Sequence, residues 1–79
     1  MWWQYKLIEK TAEKVVYAYS RESKKLDGLV EYWFATEERV MVRPCAADAG
    51  SKLGERCALE HLGHLIREDF PEERQVATG

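Results

Sequence analysis

Seventy-nine residues, 46% hydrophobic and 33% charged, have the composition of a folded chain rather than a disordered tail. That length supports a single domain over residues 1–79, with a thin stability margin because a small chain buries a smaller share of its surface. No run approaches the roughly 18 apolar residues of a membrane span, and a net charge of −2 argues against a strongly basic nucleic-acid binder.

The first element is a strand over residues 2–9. In WWQYKLIE, Trp3, Tyr5 and Leu7 alternate with Gln4 and Lys6, the period of a half-buried strand. A polar turn, EKTAEK, leads to KVVYAYSR over residues 14–21. There Val15, Tyr17 and Tyr19 face one way and Val16, Ala18 and Ser20 the other. Asp27-Gly28 is read as a turn because glycine tolerates positive φ. LVEYWFA (29–35) and RVMVR (39–43) follow as strands, with Pro44 at a strand end because it lacks an amide donor. Short connections favour an antiparallel meander.

After a loop of small residues, Asp48 or Ser51 is placed to cap a helix. The helix spans residues 52–69, with Ala58, Leu59, Leu62, Leu65 and Ile66 on one stripe and Arg56, Glu60 and Arg67 opposite. Pro71 stops it, and Phe70 turns back to the core. The tail offers a short edge strand at 75–78. The expected fold is therefore α+β: a four-stranded antiparallel meander, five-stranded if the tail joins, with one C-terminal helix packed on one face.

One helix is too narrow to cover two apolar sheet faces. All three tryptophans and all four tyrosines lie within residues 2–33, and strand parity does not say which set the helix covers. Trp2, Tyr17 and Trp33 are the expected uncovered aromatics. The resulting expectation is a non-enzymatic protein-interaction or scaffolding domain that forms a homodimer through an aromatic sheet face. Charge is uneven as well: residues 1–25 carry +3 and residues 26–79 carry −5.

Cys57, His61 and His64 share one helical stripe and are the only hint of a metal site. They match neither HExxH nor a paired CxxC, and three ligands on a straight helix span roughly 10 Å, too far for one ion at about 2 Å. Packing is the stronger reading, with a metal-binding or metal-sensing protein as the alternative, and no cofactor is assigned. Cys45 and Cys57 are too few for a disulfide framework and are read as thiols. Paired with His61 or His64 they carry no recognisable nucleophile motif. Aromatics interleaved with bases on the first two strands suggest single-stranded nucleic acid as a further alternative. The pattern of an RNA-recognition motif is absent, so a protein partner is preferred. The N-terminal ten residues lack the basic, apolar and small-residue regions of a signal peptide, so a cytoplasmic location away from membranes is expected.

Overall fold

A computed structural model describes residues 1–78. It contains β1 (Trp2–Lys10), β2 (Lys14–Arg21), β3 (Gly28–Trp33), β4 (Glu38–Arg43), a 3-10 turn at Ala46–Asp48, helix α1 (Lys52–Arg67) and β5 (Glu73–Ala77). The sheet order is β4-β3-β2-β1-β5, every neighbour antiparallel. The α+β meander with a C-terminal helix is as expected, and the tail supplies a fifth strand against β1.

The alternating apolar residues of the first three strands line one face, and α1 covers it. Trp3, Tyr5, Val15, Tyr17, Tyr19, Val30 and Tyr32 form one buried cluster with Ala58, Leu62 and Leu65. Burying tyrosine requires a partner for each hydroxyl. Tyr5 donates to the carbonyl of Ala58 in α1 at 2.6 Å, Tyr17 to that of Pro71 at 2.6 Å and Tyr19 to the Asp48 carboxylate at 3.0 Å. These bonds tie the sheet to three later segments of the chain. Burial raises the pKa of all three phenols, that of Tyr17 to about 12.

The helix ends are built locally. Ser51 accepts from the amide of Gly54 at 3.0 Å, so it is the cap. Asp48 serves another purpose. Fully buried, it holds Arg21 Nε at 2.8 Å as well as Tyr19, clamping the end of β2 to the 3-10 turn. A β-carbon at Gly54 would lie 2.5 Å from that carboxylate, which explains a glycine inside the helix. At the other end α1 stops at Arg67, earlier than the expected Asp69. Asp69 and Phe70 both adopt left-handed backbone, and the Phe70 amide reaches back to the Leu65 carbonyl at 2.8 Å. That turn places Phe70 edge-on to Phe34 and against Tyr32.

Gly28 departs from its expected role. It opens β3 and is not in the left-handed region, where Gly50 sits at φ 78°. A β-carbon at Gly28 would lie 2.6 Å from Tyr19 Cδ1, nearer still to Cε1, and 2.8 Å from the Cys45 amide nitrogen. The glycine is required for close approach, not for a turn.

Candidate functional site

The candidate site is the sheet face opposite α1. Strand register sets its layout, because directly paired residues share a face. One row across the sheet runs Glu73, Lys6, Ala18, Leu29 and Arg43. The next runs Glu9, Val16, Glu31 and Val40, and beyond it lie Lys14, Trp33 and Glu38. At the opposite end are Gln75, Gln4 and Ser20, with Trp2 beside Ala77.

Two bulges aim extra apolar side chains outward. Register slips between Leu7 and Glu9, and Ile8 is 56% exposed; it slips again opposite Leu29, and Val42 is 51% exposed. Trp2, Val16, Leu29, Trp33 and Val40 are half-buried. The face is not wholly open, however. The β2–β3 loop folds over one end, where Ser20 Oγ donates to the Ser23 carbonyl, and Lys24 and Leu26 line a shallow depression with Gln4, Lys6 and Glu73. This loop buries Ser20 and is a second cover that the count of one helix against two faces omitted.

Trp33 is held in place on this face. Its indole Nε1 donates to Glu31 Oε1 at 3.2 Å. Lys14 Nζ bonds Glu31 Oε2 at 3.0 Å and stands 5.0 Å from the centroid of the Trp33 ring. A cation over an indole face is attracted by the ring quadrupole. The three side chains therefore form a fixed set, and an aromatic ring whose rotamer is already set loses less entropy when a partner covers it. Neither Lys14 nor Glu31 stands out in the sequence. Their partnership with Trp33 depends on pairing Lys14 with Trp33 across β2 and β3, and the loop between those strands is too irregular for its length to give that register.

Of the aromatics assigned to the uncovered face, Trp2 and Trp33 lie on it, half-buried. Tyr17 does not. It is 1% exposed under α1, in edge contact with Tyr5. It sits opposite Val30 and Leu7, both on the helix side, whereas its neighbours Val16 and Ala18 face outward.

Cys57, His61 and His64 do not gather round one point. His61 packs on Trp3 with ring centroids 4.2 Å apart, and His64 stacks on His61 at 5.9 Å while its Nδ1 lies 3.1 Å from Arg67. Cys57 lines a separate cleft of about 140 Å³ at the start of α1, with Met1, Trp3, Arg21 and Leu53. Among the described residues no group of three His, Cys, Asp or Glu side chains is placed to hold a metal ion. Burial lowers the His61 pKa, and the neighbouring His64 lowers it further against the opposing pull of Glu60. Both cysteines are free thiols, Cys45 buried and Cys57 half-buried. No helix among the described residues is long and apolar enough to cross a membrane.

No protein-family model matches this chain, and no curated protein or solved structure is detectably similar to it.

Proposed function

We propose that this chain is a small non-enzymatic interaction domain that associates through the sheet face opposite α1, first of all with a second copy of itself. One observation carries the reading: Trp33 stands half-buried on that face, fixed by Glu31 and Lys14 and covered by no element among the described residues. Tryptophan is among the residues that contribute most when a partner closes over them. Val16, Leu29 and Val40 lie beside it, and Ile8 and Val42 project above the sheet.

The size of the face suits this reading. Strands spaced about 4.8 Å apart, with about 3.3 Å per residue, give five strands of six or so residues a flat footprint of about 500 Å². Two copies would cover about 1,000 Å², near the lower bound of a specific interface. Such a pair is a reversible dimer rather than an obligate one.

Sedimentation equilibrium across a concentration series tests the reading. The expected result is a monomer–dimer equilibrium with Kd of roughly micromolar to tens of micromolar. Trp33→Ser is expected to weaken it about tenfold or more while leaving the far-ultraviolet circular dichroism intact. A chain that remains monomeric at about 1 mM, where even a weak Kd would register, overturns the self-association reading.

A further inference from the structure

The charges on the open face are sorted by end. Toward the β2–β3 loop lie Lys6 and Arg43 on the strands and Lys24 and Lys25 in the loop, against Glu73 on β5 and Glu22 and Asp27 in the loop, a net positive end among the described residues. Toward the opposite end lie Glu9, Glu31 and Glu38 against one base, Lys14, already bound to Glu31. One half of the face is thus net basic and the other net acidic, and each half carries apolar residues in its inner row: Ala18 and Leu29 with Lys6 and Arg43, Val16 and Val40 with Glu9 and Glu31.

We propose that the partner of this face is a second copy docked with its strands antiparallel to the first, so that each basic half covers the other's acidic half. The inference rests on the reading of the open face as the association surface and adds its geometry. A symmetric pair of stacked sheets has two aligned choices, because the two-fold axis runs either along the strands or across them. An axis along the strands sets Lys6 and Lys24 over their own counterparts and Glu9 and Glu38 over theirs. An axis across the strands sets basic over acidic at both ends. With sheets about 10 Å apart, lysine and glutamate side chains from opposing faces reach each other around the rim, and Ala18 and Leu29 of one copy meet Val16 and Val40 of the other at the centre. Complementary potentials of this kind fix orientation and suppress the alternative pairing.

Two variants and one salt series test the arrangement. Lys6→Glu with Lys24→Glu makes both halves of the face net acidic; Glu9→Lys with Glu38→Lys makes both net basic. All four side chains are exposed, and none forms an ion pair among the described residues. Each variant alone is expected to lose self-association about tenfold or more, and an equimolar mixture is expected to restore it. The wild-type chain needs no substitution for the second readout. Raising salt from about 0.05 M to about 0.5 M weakens an antiparallel pair and strengthens one that stacks like charges. A wild-type dimer that tightens with salt, or a mixture that fails to associate when both variants are folded, overturns the arrangement and leaves the open face as the association surface. A wild-type chain that never dimerises overturns both.

Discussion

Replacing Gly28 separates two explanations of one glycine. A β-carbon there lies 2.6 Å from Tyr19 Cδ1, nearer still to Cε1, and 2.8 Å from the amide nitrogen of Cys45. The ring has little room to yield. Tyr19 is fully buried, its hydroxyl is held by Asp48 at 3.0 Å and by the Cys45 amide at 3.1 Å, and its ring stacks on Tyr5 at 5.9 Å. Overpacking a rigid core costs about 1–3 kcal/mol, and with ring and amide both fixed Gly28→Ala belongs at the upper end. A domain of this length has about 4–12 kcal/mol in total, so about 3 kcal/mol lowers the melting temperature by about 12–24 °C. Gly28→Asn decides the cause. A turn glycine is best replaced by asparagine, which visits left-handed backbone more readily than other residues; a packing glycine is worse replaced by asparagine than by alanine, because more atoms meet Tyr19. Gly50→Ala is the contrast, with φ 78° and nothing within 4 Å of its β-carbon; there only backbone strain of about 1–2 kcal/mol is expected. Thermal and urea unfolding followed by circular dichroism give the order. A Gly28→Asn protein more stable than Gly28→Ala refutes the packing argument.

The Asp48→Ala change strips the buried partner from Arg21 and Tyr19 and is expected to destabilise by about 3 kcal/mol or more; a loss in urea unfolding below about 1 kcal/mol refutes the clamp. Removing the Tyr17 hydroxyl in Tyr17→Phe deletes its bond to Pro71, for about 1 kcal/mol. With its pKa raised to about 12, the stability Tyr17 contributes is complete below pH 10 and lost as pH rises through 12; wild-type stability should therefore fall faster over that range than that of Tyr17→Phe, and parallel curves contradict this. His61 has a lowered pKa, so the fold favours its neutral form. Stability is complete above the unfolded value near 6.5 and declines as pH falls below it. Urea midpoints at about pH 7.5 and pH 5 should differ less in His61→Gln than in wild type, and an equal difference would clear His61 of the effect.

Most of the fold was legible because its local signals agree. Alternation in β1 and β2, the 3.6-residue stripe in α1 and the Ser51 cap each point to the element observed. The misreadings came where a residue answers to something distant in sequence. Asp48 reads as a helix cap because caps are local, yet Tyr19 and Arg21 claim it from 29 and 27 residues away. Gly28 reads as a turn for the same reason, and its constraint is a ring on the neighbouring strand. Pro71 marks only where a helix cannot continue, and α1 ends sooner because Asp69 and Phe70 turn the chain with left-handed backbone.

The open face was harder to read, and β2 shows why. Val15, Tyr17 and Tyr19 alternate with Val16, Ala18 and Ser20, so neither set is polar enough to declare itself the outer one. The choice falls to volume. The side beneath α1 must be filled by large side chains that can bond their hydroxyls to α1, the 3-10 turn and the segment after the helix, and Tyr17 and Tyr19 meet that need while Ala18 and Ser20 do not. Trp33 goes the other way because β3 offers Val30 and Tyr32 to the core and leaves Leu29, Glu31 and Trp33 outside. The charge sorting follows only once register is known, because Lys6, Lys24 and Arg43 are scattered along the chain and meet on one end of the face through pairings among the strands. Whole-chain charge could not reveal it: the basic first segment and acidic remainder each contribute to both ends. If the sorted halves had no role, Lys14 and Glu31 should be as replaceable as any exposed ion pair, worth about 0–1 kcal/mol. If Trp33 is an anchor fixed for a partner, Glu31→Ala, which removes the acceptor of the indole N–H and the partner of Lys14 together, should leave the monomer's stability nearly unchanged and weaken dimerisation by loosening the indole. Those two readouts separate a surface salt bridge from a preorganised contact.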